Sequence, residues 1–275
     1  MPVRNPRRAL RSEVAAPRHQ DAAHPGDPDF MLSLARGLRV IESFEAHPQG
    51  RSIVEIEHAT GLSRAAIRRI LLTLEVLGYV ERMRQVYRLR TQVLRLGFSF
   101  LSSSSVVEAA RPVLERIAEQ LHESSSMSML DGVEIVYVAR SAASRIMAAG
   151  LSVGSRLPAY CTSMGRVLLA ALPDDRLEAY LRNLKPRAYT PKTITRLPQL
   201  KKAILQVRKD GYAIVDEELE AGLRSIAVPV LTHGNQVVAA INVGTHVSRV
   251  DRAMLTGRCL PVLQEGARAL RNVLI

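Results

Sequence analysis

The stretch Ser52 to Leu89, SIVEIEHATGLSRAAIRRILLTLEVLGYVERMRQVYRL, constrains the chain more than any other, because its spacing admits two short helices, a tight turn and a small β wing. Ser52-Ile53-Val54-Glu55 has the S-x-x-E form of a capping box: the Ser hydroxyl takes the amide three residues on and the Glu reaches back. A helix therefore starts there. Ile53, Ile56 and Ala59 follow at helical spacing, and Gly61 permits the sharp turn that a residue with a side chain resists. Ser63 is the N-cap of a second helix. In it Ile67, Ile70, Leu71 and Leu74 fall at i, i+3, i+4 and i+7, which predicts one buried stripe. Ala65, Arg68 and Arg69 point the other way, and Leu72 interrupts that arc. Gly78 to Arg82 and Val86 to Leu89 alternate like two strands around Met83-Arg84-Gln85. The pattern predicts a winged helix-turn-helix.

A small residue beside two arginines suits a face that enters the major groove. Arginine forks onto guanine O6 and N7 or neutralises a phosphate, and free amides at a helix N-terminus attract phosphate. From Ser63 to Arg90 there are seven Arg against two acids, Glu75 and Glu81. The candidate contacts to double-stranded operator DNA are Ser63, Arg64, Ala65, Arg68, Arg69 and Thr73 of the helix, with Arg84 and Tyr87 of the wing. The alternative is a helical hairpin with a solvated Arg face.

Charge supports a polyanionic partner without locating it. The chain of 275 residues has a formal net charge of +12, and the excess is spread along its length. No window approaches the roughly 18 apolar residues of a membrane span, and the Arg-rich N-terminus lacks the apolar core of a secretion signal, so no membrane partner and a cytoplasmic location are expected. Two cysteines, Cys161 and Cys259, lie far apart, indicating neither a disulfide framework nor a Cys-based zinc site.

Residues 1–29, rich in Pro, Ala, Arg and His, read as a disordered extension. A helix with Leu34, Leu38, Ile41 and Phe44 on one side opens a DNA-binding domain over 30–92. Residues 93–123 are expected to be a linker helix: a hinge with an apolar helical start, VLRLGFSFL, and a Ser tract at 102–105 precede an amphipathic helix over Val106 to His122, which carries Val107, Ala110, Val113 or Leu114, Ile117 and Leu121 on one face, and together they supply contacts for a homodimer or tetramer. Residues 124–275 alternate strands and helices. They include a hairpin around Asp131-Gly132, a strand at RIMAAG, a loop VGSRLPAYCTS entering a helix, and the late strands YAIVD, RSIAVPVL and VVAAINVG. The expected class is α+β: an antiparallel sheet flanked by helices, a sensory domain of the GAF or PAS sort.

Enzyme signatures are weak. Cys161-Thr162-Ser163-Met164-Gly165 is not G-x-S-x-G, although a hydrolase using Cys161 or Ser163 remains the enzymatic alternative. His58, His122, His233 and His246 never pair at metal-ligand spacing, and the acidic run Asp216 to Glu220 reads as either a metal holder or an Arg-paired loop. No metal, cofactor or catalytic activity is therefore expected. The loop ending at Thr162 or Ser163 offers either a carboxylate site at a helix N-terminus or an ordinary N-cap.

The segments SLARGLRVIESF, GLSRAAIRRILLTLEVLGYV, YVARS, LSVGSRLPAYCTSMGRVLLAAL, IVDEELEAGLRSIAVPV and AAINVGTHVSRV, in this order, resemble the IclR family of bacterial transcriptional regulators. They are most similar to its PcaR, PcaU and PobR branch, which governs aromatic-acid catabolism through the β-ketoadipate pathway. The resemblance implies a winged-helix domain, a linker helix and a GAF-like effector domain, dimeric or tetrameric on DNA, meeting RNA polymerase if an activator. It also implies an effector pocket lined by Ile146, Leu157, Ser163, Met164, Gly165, Asp216, Ser225 and Asn242, with Arg140 as carboxylate partner. Glyoxylate-responsive members carry ISIS where this chain has Ile241-Asn242-Val243-Gly244. A larger carboxylate is implied instead: β-ketoadipate, protocatechuate or 4-hydroxybenzoate.

Overall fold

A computed structural model describes residues 27–45, 47–103, 105–142 and 151–273. They fall into two compact units that divide between Ser99 and Phe100. The extension expected over 1–29 lies, up to residue 26, outside the described residues, as do the strand expected at RIMAAG and Ile146.

The first unit comprises α1 (Leu32–Glu42), β1 (Arg51–Ser52), α2 (Ile53–Thr60), α3 (Arg64–Val76), β2 (Val80–Met83) and β3 (Val86–Leu89). Local chemistry starts and stops the helices as the sequence predicts. Ser52 N donates to Glu55 Oε2 at 2.7 Å while Glu55 N donates to Ser52 Oγ at 3.3 Å, closing the capping box. Gly61 ends α2 with φ at 70°, the left-handed region in which glycine is least strained. Ser63 Oγ accepts from Ala66 N at 3.3 Å to open α3. Val40, Phe44, Ile56, Leu62, Ile67, Leu71, Leu74, Val80 and Tyr87 form one core. The wing is a three-stranded sheet in the order β1-β3-β2. Its first strand, two residues long, is too short to carry an alternation.

In the stretch expected to be a linker helix, a 3₁₀ turn (Thr91–Val93) leads to α4 (Leu94–Ser103) and α5 (Ser105–Leu121), with residue 104 between them outside the described residues. Ala110, Leu114, Ile117 and Leu121 of α5 are buried in the core of the second unit, so α5 is part of that unit's packing.

The second unit is built on a six-stranded antiparallel sheet, in the order β6-β5-β4-β9-β8-β7. Its strands are β4 (Ser124–Asp131), β5 (Glu134–Ser141), β6 (Arg156–Pro158), β7 (Ala213–Asp216), β8 (Leu223–Leu231) and β9 (Val237–His246). The helices are α6 (Ser163–Ala170), α7 (Asp174–Asn183), α8 (Leu197–Asp210), α9 (Arg252–Met254) and α10 (Leu260–Arg271), the last two joined by a π turn over Leu255–Cys259. Both sheet faces are covered, so the α+β expectation holds. Ile226, Val228, Ile241 and Val243 pack with Leu114, Ile117, Leu263 and Leu270 of α5 and α10. On the other face Ile135, Ala227 and Ala240 pack with Met164, Val167, Leu169, Leu200 and Ile204 of α6 and α8. The strand β6 falls in a segment read from sequence as loop; three residues ending in proline carry no period-2 signal.

Candidate nucleic-acid interface and effector site

Helix α3 buries Ile67, Leu71 and Leu74 and leaves Ala65, Arg68, Arg69 and Thr73 exposed. Thr73 Oγ1 donates back to Arg69 O at 2.9 Å. Arg64 Nε donates to Glu57 Oε2 at 2.7 Å, an exposed pair between α2 and α3 that leaves the guanidinium facing water; such pairs contribute about 0–1 kcal/mol. In the wing, Arg84 occupies the turn with φ at 59°, and its carbonyl accepts from Arg82 Nε at 3.0 Å. Tyr87 requires correction. Only 8% exposed, it belongs to the core of the unit, with the Arg82 guanidinium 5.9 Å from its ring centroid. Its apolar ring is what the alternation of β3 turns inward, so it supports the wing from beneath.

In the second unit, strand register assembles the other site. Arg140 on β5 pairs with Ser126 on β4, Ser126 with Asn242 on β9, and Asn242 with Ala227 on β8. Neighbouring strands lie about 4.8 Å apart, so these side chains form a row across the sheet. They share the face that carries Ala227 and Ala240 against α6, because alternate residues on a strand share a face. Ser225, partnered by Gly244, lies one pleat along. Above the row stands α6, joined to the sheet where Ser128 Oγ meets Met164 Sδ at 3.2 Å. Leu157, register partner of Ile135, packs with the same cluster.

The polar groups here are buried and incompletely satisfied. Ser126, Ser128, Ser163, Ser225 and Asn242 are all buried, yet Ser163 Oγ and Asn242 Oδ1 have no hydrogen-bond partner among the described residues. An unpaired buried polar atom costs about 1–3 kcal/mol, so each such atom asks for an explanation. The Arg140 guanidinium donates to Ser126 Oγ at 3.1 Å, and among the described residues it has no acidic partner. Burial lowers its pKa from the ordinary arginine value, with Tyr137 acting in the opposite direction. An anion beside it would relieve that cost.

Two expected lining residues have other roles. Asp216 is held by Arg224 through two bonds of 2.9 Å. Its register places it with Arg224 and Ile214, on the sheet face opposite Ser225, because the period of two turns successive side chains to opposite faces. Gly165 is a packing residue: a Cβ there would lie 2.1 Å from Ala159 O, so α6 sits against the 3₁₀ turn Ala159–Cys161 at a distance only glycine allows. Thr162, whose Oγ1 accepts from Gly165 N at 3.2 Å, is the N-cap of α6.

The acidic run is Arg- and Lys-paired. Beyond Asp216, the Glu217 carboxylate accepts from Lys192 and from Gly222 N, and Glu218 pairs with Arg166 at 2.6 Å. Among the described residues no three His, Cys, Asp or Glu gather as a metal site requires. Burial, reinforced by Glu218, pushes the Cys161 thiol up to about 12, so it stays protonated at neutral pH and is a poor nucleophile. Sequence reasoning missed Ser126 and Ser128. Their signal was a period of two in Ser124-Ser125-Ser126-Met127-Ser128-Met129, obscured by Ser125.

Comparison with known proteins follows the same division. Residues 33–84 match the IclR helix-turn-helix domain, and residues 98–272 match the C-terminal domain of the bacterial transcriptional regulator IclR. The chain is 49% identical over 258 residues to the Pca regulon regulatory protein of Pseudomonas putida, covering 94% of this chain and 89% of that one. A transcriptional regulator from Rhodococcus sp. RHA1 superposes with a TM-score of 0.79 at 49% identity, over 89% of this chain and 98% of that one. The inducer-binding domain of the Acinetobacter PobR transcription factor, a double mutant in complex with 3-hydroxybenzoic acid, has a TM-score of 0.58 at 33% identity. It covers 61% of this chain and 98% of its own.

Proposed function

Because the chain belongs to the IclR family of bacterial transcriptional regulators, we propose that it is a ligand-responsive regulator of aromatic-acid catabolism genes whose effector is a small carboxylate. The acid is β-ketoadipate, protocatechuate, 4-hydroxybenzoate or a close analogue. Arg140 takes the carboxylate, and Ser126, Ser163, Ser225 and Asn242 take its remaining polar atoms, with Leu157 and Met164 as apolar walls. One observation carries this reading: a half-buried guanidinium without a carboxylate partner among the described residues, in a row whose neighbouring Asn242 Oδ1 is buried and unpaired. The aromatic hydroxy-acid bound by the PobR domain supports the ligand class.

Output goes through α3. Arg68, Arg69, Ala65 and Thr73 meet the major groove, Ser63 and Arg64 the backbone at its edge, and Arg84 the wing-side backbone. The protein works in the cytoplasm as a homodimer or tetramer, contacting RNA polymerase where it activates. Two recognition helices then read half-sites about 34 Å, or a multiple of it, apart. The effector acts by binding one arrangement of the DNA heads more tightly than the other, and coupling of about 1–3 kcal/mol suffices. The protein has no catalytic role. The protonated Cys161 and the Ser163 hydroxyl, which has no partner among the described residues, support this, since a serine nucleophile needs an adjacent base. Among the described residues, no helix is long and apolar enough to cross a membrane.

A thermal-shift panel with the three acids tests the reading. A true effector at 100 times its dissociation constant stabilises by about 2.7 kcal/mol, and Arg140→Met abolishes the shift. No shift with any of the acids overturns the proposal.

A further inference from the structure

Helix α6 is eight residues long and every one of them is buried, including an arginine. Arg166, 4% exposed, lies one turn after Ser163 on a helix with no solvent face. Its guanidinium bridges two segments. Nε donates to Tyr160 O at 3.1 Å, in the 3₁₀ turn that precedes the N-cap. The other end meets Glu218 Oε2 at 2.6 Å, in the loop after β7. Glu218 is 6% exposed. The same carboxylate oxygen accepts from Ile194 N at 3.2 Å, and Glu218 O accepts from Thr193 Oγ1 at 2.6 Å. Start of helix, acidic loop and the 190–194 turn are thus fastened at one ion pair.

A buried pair of this kind is weak evidence for stability, because desolvating two charges offsets most of their attraction; its better-attested use is to fix one arrangement among several. Here the arrangement is the rotation and depth of α6, and hence the direction of the unpartnered Ser163 Oγ. We propose that Arg166 and Glu218 are a positioning pair for effector recognition: they aim Ser163 at the Arg140 row without touching the effector. This rests on the reading of that row as the effector site.

The test uses the full chain, titrated calorimetrically with β-ketoadipate, protocatechuate and 4-hydroxybenzoate. Arg166→Met/Glu218→Leu removes both charges together, leaving neither stranded. Its expected signature is binding of the acid weakened about tenfold, while operator affinity without the acid matches the wild type. Arg166→Lys keeps the charge but cannot reach both partners as a fork does, and gives a smaller loss. Because the pair acts through Ser163, its loss in a Ser163→Ala background adds little further; additive losses, or unchanged affinity in the double replacement, overturn the proposal. If the double replacement does not fold, Arg166→Lys alone and combined with Ser163→Ala decides the same question. A wild-type protein that takes up none of the three acids overturns the effector reading instead. The positioning role is then judged by amide hydrogen exchange of Arg166→Lys, where unchanged protection across residues 159–170 refutes it.

Discussion

Helices α3 and α6 begin alike and end in opposite environments. Ser63 caps the first through Ala66 N and Thr162 caps the second through Gly165 N, and both helices carry arginine soon after the cap. Helix α3 buries one stripe and leaves Arg68 and Arg69 exposed to water. Helix α6 buries all eight residues, and its arginine is consumed by Glu218 and Tyr160 O. The same side chain is therefore exposed to solvent in one place and a fastening in the other. What separates them is desolvation: a guanidinium in water can exchange partners at little cost, whereas a buried one must be paired permanently.

That contrast can be broken most directly at its arginines. Arg166→Met alone strands the Glu218 carboxylate in the interior and should cost about 3–5 kcal/mol, seen as a large drop in urea midpoint. Arg68→Ala should leave the midpoint within about 0.5 kcal/mol, as an exposed surface change does. Equal losses at the two positions would end the comparison.

Glycine gives the next effect. Gly165→Ala drives a Cβ to 2.1 Å from Ala159 O, and overpacking of this kind costs about 1–3 kcal/mol. Gly37 in α1 has nothing within 4 Å of a built Cβ, so Gly37→Ala should stabilise by about 0.4–1 kcal/mol. Thermal melts of the two variants should move in opposite directions.

On the DNA side, Arg68→Ala or Arg69→Ala should weaken operator binding by about 1–3 kcal/mol where the side chain reads a base, or lower the salt slope by about one where it meets a phosphate. Gel shifts at several salt concentrations separate the two outcomes, and unchanged affinity in both variants removes α3 as the recognition helix. Cap removal at the start of the same helix has a modest effect. Ser63→Ala should cost about 1 kcal/mol, and since it loosens the N-terminus of α3, operator affinity should fall with it. Chemical denaturation alongside gel shifts checks both.

How much of this was legible in sequence depended on where each signal lived. The first unit is held by local rules. The Ser52–Glu55 box, the left-handed Gly61, the Ser63 cap and the Ile67-Leu71-Leu74 stripe each act within a turn or two of chain, so the residues that specify them stand side by side. The strands of the second unit, the three-residue β6 excepted, are readable by their alternation, and the α+β class follows. Tyr87 went astray because a residue on a wing strand can face DNA or core, and only packing against Val80 and Ile56 chooses between them.

The row proposed as the effector site is out of reach of spacing alone. Arg140, Ser126, Asn242 and Ala227 are separated by up to 116 residues and meet only through the register of four strands. A one-residue difference in phase is what sent Asp216 to the face opposite Ser225, since the side-chain period of a strand is two. Sequence by itself determined the DNA-reading head and the class of the second unit, because capping and periodicity are short-range. Tertiary structure alone decided which polar side chains share a face, which arginine is free and which is spent, because burial and register depend on chain segments far apart.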